Sequence, residues 1–588
     1  MRGIRLPSAR LPAVRLPAVR PPAFGLAIGG GDYGLNEVII KPEWNADFSW
    51  LAGRRAHAVV GPPGTGKTAA LLRLASTGAF ECCGRAISLE LEPELIYLAF
   101  NRSAAEDAEE RAGALPIHAA TIHAIGARAL AAHMGAKVGE VLLNLRRTPG
   151  GPICGRFALC GGGGGCLGAD ESLLVLRRCA AKKYGIKFSS DPFRPALGNR
   201  LFGLLDYAVH VAPESGVKQL AAQLPPALAH VILDYQATLK DLGRHDFTTA
   251  LAEAARLGLP YRIQEGTAAL KARVAFIDEA QDLSPLMWYY LPHVLADVRE
   301  AVFALDFYQT VYDSLHGADM RYGRALLDAI RAHGGTVLYL AQSKRVADRV
   351  AETAKAVLPD PDPEYVQWRG RGDVGDVYVV SPTEMVEIAK DYLSRDRPVF
   401  ALAPTNVDVL WTASLFLRYG LIPRGLKDMP TAVCRRLRAA RLAVCRQAGL
   451  VRPDADQVQP DEVAAKLAEA LVQRFRYVLL EFVPAAYVCH YLNRAVRALR
   501  CGPSFPLSGE PPIGVPKPPP LYVDTPYTAK GLEADAVFVV DRLSFDVRPS
   551  PLALYVALTR SRGDVYIVDA PGARRWVPPE VYRRAKRP

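Results

Sequence analysis

Short runs of apolar residues alternate with longer stretches of helical periodicity along most of the chain. The apolar runs form two series, at 56–60, 95–100, 274–277, 302–305 and 337–340, and then at 377–380, 399–402, 522–524, 537–540 and 565–568. Continuous apolar runs of this length, separated by helices, are typical of strands buried on both faces of a parallel sheet. The sequence therefore predicts an α/β fold with two parallel-sheet domains.

A long segment of mainly helical character interrupts each series of strands. The boundaries predicted from the pattern are 32–125 with 247–335 for the first domain, 126–246 for its helical insertion, 336–427 with 519–588 for the second domain, and 428–518 for a reduced insertion that ends in a proline-rich connector. Residues 1–31 contain a repeated unit of the type RLPAV. Because proline at this density disrupts helices and sheets, we predict a disordered arm there.

Length and composition agree with several domains and favour a soluble protein. The chain has 588 residues, more than one hydrophobic core usually serves, and its 72 basic and 60 acidic residues give a modest net charge of +12 that suits a polyanionic partner. The most apolar stretch, 477–492, is too short for a membrane span and contains Glu481, Pro484 and His490. The N-terminus lacks the apolar core of a signal peptide. We expect a cytoplasmic protein with no membrane partner.

A glycine-rich run follows the first predicted strand directly. Residues 61–68 have the sequence GPPGTGKT, the pattern of a phosphate-binding loop between a strand and a helix. Glycines let the backbone turn tightly and direct N–H groups at phosphate oxygens, while Lys67 supplies positive charge and Thr68 a hydroxyl ligand for Mg²⁺. We therefore predict that a nucleoside triphosphate and Mg²⁺ are bound by Gly61, Pro62, Pro63, Gly64, Thr65, Gly66, Lys67 and Thr68.

A second run with catalytic chemistry ends the predicted strand 274–277. It has the sequence DEAQD, beginning at Asp278. Because the carboxyl ends of parallel strands share one edge of a sheet, Asp278 can reach a Mg²⁺ ion held by Thr68, and Glu279 can activate a water molecule. The two runs together predict transfer of a phosphoryl group to water.

Four of the ten cysteines lie on either side of a run of glycines. They are Cys154, Cys160, Cys166 and Cys179. Four thiolates can hold zinc or an iron–sulfur cluster, but the spacing of these four matches no compact ligand pattern. The sequence therefore favours no metal here and leaves a zinc or iron–sulfur site open as the alternative.

Further motifs occur in a fixed order around the two catalytic runs, at 98–105, 120–123, Tyr235 with 246–247, 306–312, 342–345, 525–533 and 555–562. With these motifs and with 61–68 and 278–282, the chain resembles the UvrD/Rep family of superfamily 1 (SF1A) DNA helicases. The resemblance covers nearly the whole chain beyond the N-terminal arm. It implies two RecA-like P-loop NTPase domains with parallel sheets, each interrupted by a mainly helical accessory insertion.

The resemblance also implies roles for individual residues. The implied catalytic residues are Lys67, Asp278, Glu279, Gln281, Arg345, which reaches the γ-phosphate, and Arg560, the arginine finger. Further nucleotide contacts are implied for Gln309, Gly531 and Glu533. The implied contacts with nucleic acid are Phe100, Asn101, Thr121, His123, Tyr312 and Thr525. A role in the hydrophobic core is the alternative for the two aromatic residues of this last set.

The chain differs from the family at positions where the family contacts the base of the bound nucleotide or the bases of the nucleic acid. Residues 1–60 contain no glutamine to select adenine, and Lys344 stands in place of an aromatic that stacks on the nucleotide base. Leu305 and Tyr527 replace a glycine and a histidine, and the base-stacking aromatic expected after Tyr312 is missing, with His316 nearby. None of these residues is expected to touch the phosphates. The selectivity for the nucleotide base is therefore left open.

These features together predict an ATP-dependent DNA helicase or single-strand translocase that acts in DNA repair, replication or recombination. Movement in the 3′ to 5′ direction is implied by the resemblance alone. A translocase that displaces proteins without unwinding duplex is one alternative, motivated by the short second insertion. The other is a nucleic-acid-binding protein whose ATPase has decayed, and the complete set of catalytic residues disfavours it.

Overall fold

A computed structural model describes residues 38–142, 176–187, 197–423 and 520–587, except for gaps at 43–45, 92–93, 114, 116, 178–179, 182, 266–267, 313–315, 373–374, 420, 422, 545–548 and 571. The described residues form two compact units. Of the described residues, those up to Lys344 and Asp362–Trp368 form the first unit, and Arg345–Pro361 and those from Arg369 onward form the second.

The described part of the first unit is built around a parallel sheet of six strands, in the order β10-β1-β9-β8-β4-β5. All residues of β8 and β9 are buried, which explains their uninterrupted apolar sequences. Two antiparallel hairpins, β2-β3 and β6-β7, lie outside this sheet. The strands are β1 (Arg55–Val60), β2 (Ala79–Cys82), β3 (Arg85–Ser88), β4 (Leu95–Ala99), β5 (Ile117–Thr121), β6 (Ile263–Glu265), β7 (Ala268–Leu270), β8 (Val274–Ile277), β9 (Glu300–Leu305) and β10 (Val337–Tyr339).

Ten described α-helices accompany this sheet. They are α1 (Lys67–Thr77), α2 (Arg102–Ala112), α3 (Ile122–His133), α4 (Val138–Val141), α5 (Leu197–Val211), α6 (Gly216–Gln223), α7 (Pro226–Asp241), α8 (Phe247–Arg256), α9 (Pro285–Val294) and α10 (Met320–Ala332). Helices α3 and α8 approach closely at Gly126, where a Cβ atom would lie 2.8 Å from Cδ1 of Leu251. Short 3-10 turns cover Ser49–Leu51, Ala280–Asp282, Phe307–Gln309 and Tyr365–Gln367.

The described part of the second unit contains a parallel sheet of five strands, in the order β11-β15-β14-β12-β13. The strands are β11 (Val377–Val380), β12 (Val399–Leu402), β13 (Leu521–Asp524), β14 (Ala534–Asp541) and β15 (Ser561–Asp569). The helices are α11 (Asp348–Lys355), α12 (Pro382–Ser394), α13 (Asn406–Arg418), α14 (Pro526–Ala529), α15 (Pro551–Leu558) and α16 (Pro579–Arg584). All eight residues of α15 except Pro551 are buried, so this helix lies in the core of its unit.

The predicted fold class is confirmed, and each of the ten apolar runs contains a strand. Strand β5 and the two hairpins were not anticipated, because their short and mixed sequences do not stand out as apolar runs. The residue boundaries predicted for the domains and insertions remain predictions.

Several predictions fall on parts of the chain that the structure does not describe. The N-terminal arm, the insertion 428–518, the apolar stretch 477–492 and the cysteines Cys154, Cys160, Cys166 and Cys179 lie outside the described residues. Among the described residues, no group of three or more His, Cys, Asp or Glu side chains is arranged to hold a metal ion. None of the described helices is both long and apolar enough to cross a membrane.

Candidate active site

The glycine-rich run 61–68 forms the loop between β1 and α1. Gly64 and Gly66 have φ angles of +75° and +91°, in the left-handed region that favours glycine. A Cβ atom at Gly61 would lie 2.5 Å from Oγ1 of Thr65, whose hydroxyl donates to the carbonyl of Pro62 over 2.8 Å. The backbone of the loop thus requires glycine where the sequence pattern has it.

Lys67 begins α1, and its side chain is buried with 7% exposure. Its ammonium donates to the carbonyl oxygens of Gly61 at 2.8 Å and Pro62 at 3.3 Å. Oδ2 of Asp306 lies 4.0 Å from the same nitrogen. The cation is therefore held inside the phosphate loop, with a carboxylate nearby that balances its charge.

Thr68 and Asp278, the two residues predicted to hold Mg²⁺, lie side by side. The Thr68 hydroxyl donates to Oδ2 of Asp278 over 2.7 Å, and the Tyr97 hydroxyl donates to the same oxygen over 2.7 Å. Burial and the charge of Glu279 raise the pKa of Asp278, whereas the hydrogen bonds from Tyr97 and Thr68 oppose the rise. Oxygen ligands at adjacent corners of a Mg²⁺ octahedron lie about 3 Å apart, so the two oxygens fit this ion.

Glu279 follows Asp278 in a backbone conformation unusual for a residue other than glycine. Its φ angle is +53°, and its amide donates to Oδ1 of Asp278 over 2.9 Å. Gln281, which is buried, donates from its side-chain amide to the carboxylate of Glu279. The side-chain oxygen of Gln281 accepts from the amide of Asp306 over 3.0 Å. Gln281 thus connects the residues that follow β8 with the residue that follows β9.

Asp306 is fully buried, and donors surround both of its oxygens. Gln309 donates to Oδ2 over 2.7 Å. The Tyr365 hydroxyl, at 2.5 Å, and the Tyr308 amide, at 3.2 Å, donate to Oδ1. Burial raises the pKa of Asp306, and the nearby Lys67 cation counteracts this rise first among the opposing interactions.

Phe100 and Tyr312 stack on each other, with ring centroids 4.8 Å apart and planes inclined by 22°. His316 packs against both rings, at 5.6 Å from Phe100 and 5.5 Å from Tyr312. Its ring lies 5.5 Å from that of His210, which lies 5.5 Å from that of His123. We call these five residues the ring cluster.

The three histidines of the ring cluster are neutral at pH 7. Burial lowers the pKa of His123 to about 4 and that of His316 to about 3. Burial also lowers the pKa of His210 well below its ordinary value, and the nearby His316 and His123 lower it further. The His210 ring pairs through Nδ1 with the Ser284 hydroxyl at 2.9 Å.

Asn101 lies two residues beyond the end of β4, and Thr121 is the last residue of the neighbouring parallel strand β5. Each is the N-cap of the helix that follows its strand: Asn101 accepts from the amide of Ala104 over 2.8 Å, and Thr121 accepts from the amide of Ala124 over 3.2 Å. Since β4 and β5 are adjacent, both caps lie at the same edge of the sheet as Phe100.

The remaining predicted site residues belong to the second unit. Arg345 forms an ion pair with Glu533, with Nε and Oε2 2.6 Å apart. Arg560 is 1% exposed, and its guanidinium donates to the carbonyls of Val556 at 3.2 Å and Leu532 at 3.4 Å. A role as arginine finger requires that this guanidinium exchange those carbonyl oxygens for phosphate oxygens.

Gly531 and Thr525 lie in the turn on either side of α14. Gly531 has a φ angle of +86°, which explains the need for glycine at this position. Thr525 is the N-cap residue of α14, is 8% exposed, and lies with its hydroxyl 3.3 Å from that of Thr528. Thr525 is therefore enclosed by the local turn.

Sequence reasoning missed three contributors to these sites. Tyr97 lies within an apolar strand, and Tyr365 lies far along the chain from Asp306, so neither position carries a motif signal. His210 is part of a helix outside every quoted motif. Only the proximity of His316 to the motif at 306–312 offered a hint that could have been followed.

Comparison with known protein families supports the resemblance. Residues 49–314 match an AAA domain, and residues 520–568 match the UvrD-like helicase C-terminal domain. No curated protein sequence matches the chain significantly. The first match contains the phosphate loop, DEAQD and most of the ring cluster, and the second contains β13, β14 and most of β15. Together the two matches support a UvrD/Rep-like helicase, and that family implies an ATP-dependent enzyme that acts on nucleic acid.

Proposed function

We propose that the chain is a DNA helicase of superfamily 1 that couples ATP hydrolysis to movement along single-stranded DNA in the 3′ to 5′ direction. The observation that carries the proposal is the hydrogen-bonded set in the first unit. It joins Thr68 of the phosphate loop to Asp278, and Glu279 through Gln281 to Asp306. The direction of movement rests on the family resemblance.

In the proposed hydrolysis, Lys67 leaves the carbonyls of its own loop and neutralises charge that develops on the transferred phosphoryl group. Thr68 and Asp278 would hold Mg²⁺, which neutralises negative charge on the phosphate oxygens when bound. Glu279 positions and deprotonates the attacking water, and the amide of Gln281 fixes the orientation of the Glu279 carboxylate. The remaining phosphate loop residues, with Gln309, Gly531 and Glu533, are the proposed nucleotide contacts.

Arg345 and Arg560 are proposed to contribute positive charge at the γ-phosphate. The support is chemical: arginine forms forked hydrogen bonds that match phosphate oxygens, and phosphoryl transfer needs cations on several sides. Arg345 is already paired with the carboxylate of Glu533, which would restrain its side chain before it meets phosphate.

The proposed DNA track runs along the sheet edge that carries Phe100 and Asn101. Aromatic faces stack on bases irrespective of sequence, and a position at the end of a strand presents such a ring beside helix N-termini. The stacking of Phe100 on Tyr312 and the neighbouring caps Asn101 and Thr121 support this assignment. His123 and Thr525 are the other proposed contacts. DNA repair, replication or recombination is the proposed setting.

Single-strand-stimulated release of phosphate tests the motor. We expect stimulation by single-stranded DNA in the wild-type protein and its loss in Lys67→Ala. The matched control is Lys240→Ala, at an exposed lysine of α7, which should behave as wild type. Absence of stimulation in the wild type would favour a nucleic-acid-binding protein with a decayed ATPase. Running the assay with ATP, GTP and CTP also measures base selectivity.

Two DNA substrates separate unwinding from protein displacement. We expect ATP-driven unwinding of a duplex with a 3′ tail and little unwinding of one with a 5′ tail. Removal of streptavidin from a biotinylated single strand, without unwinding of either duplex, would instead support the translocase that only displaces proteins. Preference for the 5′ tail would overturn the proposed direction.

A further inference from the structure

The segment Asp362–Trp368 belongs to the first unit, although the chain on both sides of it belongs to the second. It is firmly packed, since Tyr365 is 1% exposed and Trp368 is fully buried. The Asp362 carboxylate accepts from the amides of Glu364 at 2.9 Å and Tyr365 at 3.3 Å, which fixes the turn. This burial distinguishes the segment from an ordinary surface loop.

Tyr365 reaches Asp306 directly. Its hydroxyl donates to Oδ1 over 2.5 Å, and its ring lies 4.6 Å from the ring of Tyr308. The Tyr308 hydroxyl in turn accepts from the amide of Asp362 over 2.7 Å. The segment is therefore attached at both the ring and the backbone, and the Tyr365 hydroxyl is held in place beside the carboxylate.

The Tyr365 hydroxyl matters because the carboxylate of Asp306 is fully buried. Such a group must be surrounded by donors or cations to remain ionised. Around Oδ2 of Asp306 lie the Gln309 side-chain amide, which donates a hydrogen bond, and the Lys67 ammonium. Oδ1 accepts hydrogen bonds from the Tyr365 hydroxyl and the Tyr308 amide. When Lys67 also neutralises a phosphate group, its attraction to the carboxylate is shared, and the other donors must keep the carboxylate in place beside it.

We propose that Tyr365 is a positioning residue for ATP hydrolysis, which fixes the carboxylate of Asp306 and through it the placement of Lys67 and Gln309 at the phosphate loop. The inference rests on the proposed function in so far as the reaction is hydrolysis of ATP. No motif of the sequence assigns this role to Tyr365, which follows β10 and lies after the Arg345 motif.

Tyr365→Phe is the central test, because it removes the hydroxyl and keeps the ring packed on Tyr308. We expect kcat of the single-strand-stimulated ATPase to fall about tenfold, with KM for ATP changed by less than about threefold. The reason is that the variant loses a hydrogen bond to the charged Asp306 carboxylate, and this carboxylate helps to place Lys67. The matched control is Tyr339→Phe, whose hydroxyl accepts from Arg331 over 3.0 Å and does not contact Asp306. It should keep the wild-type kcat.

The pH profile supplies a readout that a purely structural role would not move. Lys67, Tyr365 and Gln309 favour the ionised form of Asp306, and the charge of Glu279 disfavours it. Removal of the Tyr365 hydroxyl raises the pKa of Asp306 further, so the acidic limb of kcat should lie at higher pH in Tyr365→Phe. General loosening would instead lower kcat by the same factor at every pH.

A double-mutant cycle shows whether Tyr365 acts through Asp306. In an Asp306→Asn background, Tyr365→Phe should cause little further loss of kcat. A full additional tenfold loss in that background would overturn the inference. If circular dichroism shows that Tyr365→Phe does not fold, Tyr308→Phe replaces it, because it removes the hydrogen bond that the Asp362 amide donates to the Tyr308 hydroxyl. The acidic limb of the kcat profile should then also move to higher pH. An unchanged profile would overturn the inference.

The outcomes also separate this inference from the proposed function. A wild-type protein with stimulated ATPase, combined with a Tyr365→Phe variant of wild-type kcat and pH profile, overturns the inference and leaves the function standing. A wild-type protein without stimulation overturns the function. In that case the affinity for AMP-PNP in the presence of Mg²⁺, measured across the same pH range, tests the inference. If the affinity of Tyr365→Phe begins to fall at a higher pH than that of the wild type, the inference is supported. If both affinities fall at the same pH, it is overturned.

Discussion

The hydroxyl of Thr68 donates a hydrogen bond of 2.7 Å to the carboxylate of Asp278, across 210 positions of sequence. Parallel strands bring the two residues together, because the phosphate loop and the acidic run both leave the sheet at its carboxyl edge. The same oxygen of Asp278 also accepts from Tyr97. Asp278, a candidate Mg²⁺ ligand, is therefore oriented in part by the hydroxyl of Tyr97, a residue outside the motifs.

The contact of Tyr97 with Asp278 predicts an effect on the Mg²⁺ requirement. Residues that orient a metal ligand typically change metal affinity by about 10–100-fold when they are removed. We therefore expect Tyr97→Phe to raise the Mg²⁺ concentration for half-maximal ATPase about tenfold, with kcat nearly restored at saturating Mg²⁺. Magnesium titration of the ATPase measures this.

Tyr290→Phe is the control for that titration. Tyr290 is a buried tyrosine of α9 whose hydroxyl has no hydrogen-bond partner among the described residues, so its removal should leave the Mg²⁺ requirement unchanged. Equal Mg²⁺ curves for Tyr97→Phe and wild type would mean that Asp278 does not depend on Tyr97 for its orientation.

The link from Glu279 through Gln281 to the Asp306 backbone predicts a loss of rate rather than of binding. Loss of a positioned general base typically lowers the rate about 10²–10⁴-fold. We expect Glu279→Gln to lower kcat by at least about a hundredfold and Gln281→Ala by a smaller factor, while both variants still bind Mg²⁺ and AMP-PNP. Rapid-quench hydrolysis and equilibrium titration measure the two quantities. If Glu279→Gln keeps the wild-type kcat, a residue other than Glu279 is the general base.

The stack of Phe100 on Tyr312 predicts a contribution to DNA binding. Base stacking on an aromatic ring is worth about 1–3 kcal/mol per base. We expect Phe100→Ala to raise the concentration of single-stranded DNA for half-maximal stimulation about 10–100-fold. Phe247→Ala, at a phenylalanine of α8 that is 40% exposed, is the control and should bind DNA as wild type does. If Phe100→Ala lowers thermal stability and leaves DNA binding intact, Phe100 belongs to the core.

Much of the fold, and those parts of the candidate site that lie in motifs, are visible in the sequence for a physical reason. A strand buried on both faces must be apolar throughout, so Val274–Ile277 and Val399–Leu402 are visible as runs, and GPPGTGKT is visible because the loop backbone tolerates few residues. Tyr97 and Tyr365 were not predictable, because a buried tyrosine has the same pattern whether or not its hydroxyl meets a carboxylate. His316 was noted near a missing aromatic, and its packing against Phe100 became clear only in three dimensions.

The ring cluster predicts that the folded protein loses stability in mild acid. The folded pKa values of His123 and His316 are lowered to about 4 and about 3, below the ordinary value of 6.5, and that of His210 is lowered as well. Between these values and pH 6.5 the unfolded chain binds protons that the folded protein does not. The free energy of unfolding should therefore fall as the pH drops below about 6.5, by about 2 kcal/mol at pH 5 for each of His123 and His316.

Replacement of one buried imidazole tests the origin of this acid sensitivity. The Nε2 atom of His316 is buried without a hydrogen-bond partner among the described residues, so His316→Phe removes both an unpaired polar atom and a titrating group while keeping a ring against Phe100 and Tyr312. Urea unfolding between pH 5 and 8 should show a shallower dependence on pH for this variant. His333→Gln, at an exposed histidine, should follow the wild-type curve. Parallel curves for His316→Phe and wild type would show that the acid sensitivity originates in groups other than His316.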